Sequence, residues 1–208
     1  MIKFLKEWGL FIVIFAAVIL SRVFFWSIVI VDGHSMDPTL ADKERLVTVK
    51  ISKINRFDIV VAKEENTDGS TKRIVKRVIG LPGDTISFNH DQLTINNKVY
   101  PESYLKDFQK QLASGQLAKT YGKYPLNKEL SGQNRDGFVI AAERTKAFTT
   151  DSAGNPDFTV KVPAGQYFLM GDNRVISQDS RAVGTFKRSA IIGEAKLRVW
   201  PLNKITFF

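Results

Sequence analysis

One stretch near the start limits what this chain can become more than any other. Gly9–Leu20 carries no charge, Ser21 and Arg22 interrupt the apolar run, and Val23–Val31 resumes it. About 20 helical residues cross a hydrocarbon core of roughly 30 Å, so Phe4–Ile30 is long enough to span a bilayer. Arg22 is costly at mid-membrane, but its stem lets the guanidinium reach outward. Trp8 and Trp26 are spaced like interfacial aromatic anchors, and Lys3 and Lys6 favour an N-terminus inside. A cleavable secretory signal is the rival reading. No A-x-A pattern follows the run, however, and the run is longer than a usual signal core. A buried helix of a soluble protein is the third reading. The expectation is a cytoplasmic segment over residues 1–8, a single transmembrane helix over 9–30 and an extracytoplasmic remainder at the plasma membrane.

Beyond the run, the periodicity changes from helical to strand-like. Leu46–Ile51 alternates apolar and polar residues, and Phe57–Ala62 is β-branched and mostly apolar. Glu64–Thr71 is a polar hairpin or loop. Lys72–Gly80, Thr85–Phe88 and Leu93–Tyr100 continue the series, with Asn96-Asn97 as a two-residue turn. Phe158–Val162, Pro163-Ala164-Gly165 and Gln166–Met170 read as strand, turn, strand, and Ile191–Trp200 as another strand. Residues 101–156 differ: they are polar, spotted with glycine and mixed in charge, with a short helix over Tyr104–Leu117. Repeated short strands with Gly/Pro turns argue for a mainly β, antiparallel fold. The expected arrangement is a β catalytic domain over 31–100 and 157–208, with 101–156 as a small inserted cap.

Composition removes several classes of chemistry. The chain has no cysteine, which excludes thiol nucleophiles, disulfides and cysteine-based zinc sites. His34 and His90 are the only histidines, so a multi-histidine metal centre is not expected, and no cofactor is. The net charge of +9 fits attraction to nucleic acid or to anionic lipid, and charge alone does not choose. The basic residues are dispersed, with no nucleic-acid recognition motif.

Three stretches hold the candidate chemistry. In Lys72–Asp84, KRIVKRVIGLPGD, a strand would put Ile74, Lys76 and Val78 on one face and Val75, Arg77 and Ile79 on the other. A lysine buried among apolar neighbours loses hydration, which lowers its pKa and makes it a possible base. Most lysines are solvated, and from this stretch alone so is Lys76. Ser35 lies in VDGHSMDPTL, at the end of an extended segment, where Gly33 permits unusual dihedrals and Pro38 starts a turn. A triad with His34 and Asp37 is rejected, because adjacent side chains of an extended segment point to opposite faces. His90 sits in a polar turn. The third stretch, GDNRVISQDSRAVG over Gly171–Gly184, is rich in side chains that bond to nearby backbone, and Asp179 and Arg181 can pair to brace it.

Taken together, GHSMDPTL, KRVIGLPGD and GDNRVISQDSR, with RFDIVV as a weaker fourth, resemble the type I signal peptidases, membrane-bound Ser–Lys proteases of the S26 family. The short insertion and single anchor look like the Gram-positive form. The resemblance implies Ser35 as nucleophile and Lys76 as general base. Ser177 corresponds to a hydroxyl that bonds and orients the lysine, and Asp179 and Arg181 to a supporting pair. Some members carry a serine two residues before the nucleophile that helps form the oxyanion hole; here that position is Gly33. The hole is then expected from backbone N–H groups, of Ser35 and Gly33. Val31, Asp32, Ile74 and Val75 are the expected substrate-binding residues, with an extended substrate added along a strand edge.

The implied activity is removal of signal peptides from exported preproteins after small residues in an A-x-A-like pattern. The implied partners are preproteins, phospholipid membrane and a nearby secretion translocon, with no nucleic acid. The alternative is a catalytically inactive relative serving as an assembly factor for surface structures, against which retention of both Ser35 and Lys76 argues. A Ser–Lys self-cleaving repressor would need a DNA-binding domain where the apolar run stands.

Overall fold

The computed structural model describes residues 2–65, 68–124 and 135–208, with residues 2–7 described in backbone only. Helix α1 (Ile2–Phe24) leads into strand β1 (Trp26–Ile30), followed by β2 (Arg45–Val49), β3 (Ile59–Glu65), β4 (Thr71–Gly80), β5 (Thr85–Asn89), β6 (Gln92–Ile95) and β7 (Lys98–Tyr100). Helices α2 (Lys106–Ala113), α3 (Leu117–Tyr121) and α4 (Arg135–Arg144) come next. The chain returns through β8 (Asp157–Lys161), β9 (Gln166–Met170), the one-turn α5 (Ser180–Val183), β10 (Phe186–Lys187), β11 (Ile191–Trp200) and β12 (Thr206–Phe207).

The strands form two sheets, antiparallel throughout. One runs β1-β2-β11-β3-β4-β9-β10 with β12 paired to β11; the other runs β7-β6-β5-β8. The mainly antiparallel β architecture expected from the strand pattern is present. The Asn96-Asn97 turn joining β6 to β7 has positive φ at both residues (49° and 65°), the requirement of a tight hairpin. The segments around Pro163-Ala164-Gly165 are strands, but they do not pair with each other. β8 pairs β5 in the small sheet, and β9 pairs β4 in the large one. The turn between them therefore links the two sheets.

The expected helix over 9–30 is corrected at its far end. α1 stops at Phe24, and Trp26–Ile30 pairs residue by residue with β2, from Trp26↔Val49 to Ile30↔Arg45. Trp26, Ile28, Val29 and Ile30 are aromatic and β-branched, which suits a pleated surface better than a helix. Lys50 marks the switch: its N–H donates to Phe25 O at 2.8 Å and its Nζ to Val23 O at 2.6 Å. A cation there satisfies carbonyls at the negative end of the helix. Among the described residues, no helix is long and apolar enough to cross a membrane. The uncharged part of α1 covers residues 8–21. Its side chains from Leu10 to Phe15 are nevertheless apolar and exposed.

β4 organises the interior because its second half is buried on both faces. Val75 joins Val31, Met36, Leu46, Ile59 and Val61 on one side. Val78, with Ile74 packed nearby, joins Val60, Ala62, Leu169 and Ile191 on the other. Ile79 belongs to a third cluster with Ile86, Phe88, Leu93 and Phe168, where the two sheets meet. Residues 101–156 build a separate helical core from Leu105, Phe108, Leu117, Tyr121, Phe138 and Phe148. The helix expected over Tyr104–Leu117 is broken at Ser114 and Gly115, and Gly115 takes φ +68°.

Candidate active site

β1 is an edge strand, and the first half of β4 pairs only with β3, since β9 meets β4 from Arg77 onward. These unpaired edges face one another across a cleft of about 490 Å³, lined by residues 28–36 on one side and 72–76 on the other, with Glu64 and Gln178. Ser35, Lys76, Val31, Asp32, Ile74 and Val75 all line it.

Lys76 is 3% exposed and forms no ion pair among the described residues. Its alternation with Ile74 and Val78 sends it to the β4 face that also carries the Val60–Ala62 cluster. Burial lowers its pKa to about 8, because the charged form loses hydration. The carboxylates of Asp179 and Glu64 pull the other way, and Arg181 and Lys72 add to the lowering.

Ser35 sits in a turn rather than at the end of an extended segment. The His34 ring still does not serve it: His34 Nδ1 lies 2.9 Å from Asp37 Oδ2, and the ring stacks on Tyr124. The carbonyls around the serine are held from the Gly171–Gly184 loop. Asn173 donates through Nδ2 to His34 O and through its backbone N–H to Ser35 O, both at 3.0 Å. Gly171 permits this approach, since a Cβ there would collide with Ser35 O and Ser177 Oγ. The Ser35 N–H donates to no group among the described residues and is available to an incoming oxygen.

Two expectations are corrected here. Gly33, expected beside Ser35 as an oxyanion donor, has its N–H committed to Asp42 Oδ1 at 2.8 Å. Its φ of +88°, readily adopted by glycine, accompanies this orientation. Ser177 does not bond Lys76: its Oγ is buried and has no hydrogen-bond partner among the described residues. It packs instead against Gly171, beside the Ser35 turn.

Asp179 and Arg181 pair in bidentate fashion, Nε to Oδ1 and Nη2 to Oδ2, each at 2.8 Å. Asp179 Oδ2 also accepts the Gly171 N–H at 3.0 Å, and Oδ1 accepts the Arg181 N–H at the start of α5. Burial pushes its carboxyl upward, but Arg181 and these donors hold it below the usual range. Arg181 reaches on to the carbonyls of Arg174, Ser177 and Thr150.

Further contacts enter that the sequence did not announce. Arg77, on the β4 face opposite Lys76, clamps Asp172 at 2.9 and 2.6 Å and lies 4.0 Å from the centre of the Tyr104 ring. Arg174 is buried against Glu102, with Phe88 beneath it. Tyr121 and Tyr124 approach from the insertion. Their partners lie between 52 and 87 residues away in the chain, so no local pattern announces them. Among the described residues no cluster of histidines and carboxylates could hold a metal.

A family model described as "Signal peptidase, peptidase S26" matches residues 5–200. A protein named Signal peptidase I from Streptococcus pneumoniae serotype 4 is 52% identical over 206 residues, 99% of this chain and 98% of its own. Signal peptidase I S of Bacillus subtilis strain 168 is 38% identical over 98% of this chain and 93% of its own. Signal peptidase I of Bacillus amyloliquefaciens is 38% identical over 96% and 90%. With a family match across nearly all of its length and relatives this similar end to end, the chain belongs to the signal peptidase family, peptidase S26, and is a peptide-bond hydrolase.

Proposed function

We propose that this chain is a membrane-anchored endopeptidase that removes signal peptides from exported preproteins after small residues, using Ser35 and Lys76 as a catalytic dyad. The observation that carries the reading is a buried, unpaired lysine with pKa near 8 lining the same cleft as a serine whose carbonyl is fixed. At pH 7 a free lysine, near 10.4, is almost wholly charged, whereas roughly a tenth of a pKa-8 lysine is neutral.

In this mechanism neutral Lys76 takes the proton of Ser35 Oγ as the oxygen attacks the scissile carbonyl. The Ser35 N–H donates to the developing oxyanion. Lys76 then gives its proton to the leaving amine, and water, activated by the same nitrogen, resolves the acyl-enzyme. Asp179 and Arg181 fix the loop behind the dyad. The substrate runs as an added strand between the free edges of β1 and β4, along Val31, Asp32, Ile74 and Val75. α1 enters the bilayer from a cytoplasmic N-terminus, with its exposed apolar side chains in lipid, and the catalytic part stands on the outer face near the translocon. Holding the dyad where signal peptides emerge raises its effective concentration.

The test is cleavage of a reconstituted preprotein by wild type, Ser35→Ala and Lys76→Ala. Wild type is expected to cut after an A-x-A site, with both variants folded and at least about 10³-fold slower. Full activity in either variant would sink the dyad.

A further inference from the structure

Two tyrosines of the insertion reach the nucleophile turn and have no part in the chemistry above. Tyr124, just beyond α3, lays its ring flat on that of His34, with centroids 3.7 Å apart and planes 8° apart. Its hydroxyl donates to Asp37 Oδ2 at 2.7 Å, the same oxygen that faces His34 Nδ1. Tyr121, the last residue of α3, donates to Asn173 Oδ1. Asn173 in turn holds the carbonyls of His34 and Ser35. Burial raises both phenols well above their usual pKa, so each remains a donor. Two chains of contact therefore run from α3 to either side of Ser35.

The far ends of these chains are firm. Tyr121 meets Phe108 and Phe138 edge-on at 6.2 and 6.1 Å, and Tyr124 meets Phe138 at 6.4 Å. The near end is pinned by Met36 and Leu40, which are buried in the core, while His34 and Asp37 turn toward the insertion. Within the turn, Asp37 N–H reaches His34 O at 3.3 Å and Leu40 N–H reaches Met36 O at 3.0 Å. The side of the turn that carries His34 and Asp37 takes its orientation from what is fastened to it.

We infer that Tyr121 and Tyr124 are positioning residues: the insertion is a strap that orients the Ser35 turn through Asn173 and the His34–Asp37 pair. The inference rests on the reading of Ser35 as nucleophile. Attack demands close alignment, and a misplacement of about 1 Å can lower a rate by about 10²-fold. The strap acts on the step that forms the acyl-enzyme and leaves the substrate edges of β1 and β4 untouched. This predicts a loss in kcat rather than in KM.

The experiment compares full-length wild type, Tyr121→Phe, Tyr124→Phe, Leu112→Ala and Ser35→Ala on one preprotein in lipid vesicles. Each Phe variant removes one hydroxyl and keeps its ring. Leu112 packs on the same helical core but makes no side-chain hydrogen bond in either chain of contacts, so Leu112→Ala loosens the insertion without removing a bond of the strap. The expected result is a kcat lower by about three- to tenfold in each Phe variant, KM within about twofold, and kcat retained in Leu112→Ala. Amide exchange at residues 33–37 should quicken in Tyr124→Phe and stay unchanged in Leu112→Ala. The strap is overturned if both Phe variants keep wild-type kcat, if the loss lies in KM, or if Leu112→Ala loses as much kcat or gains as much exchange. Ser35→Ala separates the two ideas. If it still cleaves, the nucleophile reading fails. If it is dead while both Phe variants match wild type, only the strap fails.

Discussion

Two neighbouring regions treat charge in opposite ways. In the loop over 171–184, each buried charge has a partner: Asp172 with Arg77, Arg174 with Glu102, Asp179 with Arg181. On β4, Lys76 is just as buried and has no ion-pair partner among the described residues. Paired groups keep their charge and rigidify what they touch, whereas an unpaired cation in an apolar wall is driven toward its neutral form. The paired loop holds the Ser35 turn, and in the proposed dyad the unpaired strand would supply the base. Geometry and reactivity are supplied by separate elements, each protected from the other's requirements.

The largest effect that could break this contrast is removal of one partner from the loop. Asp179→Ala leaves the Arg181 guanidinium buried without its carboxylate and frees the Gly171 N–H. A loss of about 3–5 kcal/mol is expected by denaturant unfolding. A loss under about 1 kcal/mol would show that the network is ornamental.

Lys76→Met should act in the other direction. Its folded pKa near 8 lies below the unfolded value of 10.5, so between those values the unfolded state binds more protons. Wild-type stability therefore rises with pH through that window. Lys76→Met is expected to be more stable than wild type at pH 7, by up to about 3 kcal/mol, and the difference should vanish as pH approaches 10.5. A less stable variant at pH 7 would mean that the lysine is not an uncompensated charge.

The activity counterpart is smaller per pH unit. With neutral Lys76 as base, kcat/KM should rise about tenfold per unit below pH 8 and level off above it. A conservative Asp179→Asn variant removes a carboxylate that raises the lysine's pKa, so its limb should shift to lower pH. A profile peaking near pH 5 would contradict the base assignment.

The smallest effect is expected at the cleft rim. Lys43 and Asp32 pair at 2.5 Å, but both are largely exposed. Asp32→Asn should leave Tm within about a degree of wild type, because water screens such pairs. Any change in cleavage would then report on substrate and not on stability.

Several features were legible before the structure was seen. The period-two alternation of β4 tells which residues share the face of Lys76, and the strand over Ile191–Trp200 and the two-residue turn at Asn96-Asn97 are read from local pattern. Local pattern failed where a segment satisfied two descriptions. Trp26–Ile30 is apolar enough to continue a helix, and only its pairing with β2 makes it a strand. Phe158–Met170 reads as a hairpin-like unit, yet its strands enter different sheets. At the site, Asp179 and Arg181 are two residues apart, so their pairing could be anticipated. Gly33 looked like a free donor because Asp42, nine residues on, gives no sign in sequence of turning back toward it.

The sequence by itself determined the family, the mainly β character and the chemical identities present: a serine after an apolar run, a lysine amid Ile and Val, and no cysteine. These follow from composition and short-range order. The tertiary structure decided what each group meets. It ended α1 at Phe24, committed the Gly33 N–H, left the Ser177 hydroxyl without a hydrogen-bond partner among the described residues and brought Tyr121 and Tyr124 onto the Ser35 turn. The reason is physical. Backbone preference is set by neighbours along the chain, whereas desolvation and hydrogen-bond partnership are set by neighbours in space, and here those lie up to 159 residues apart.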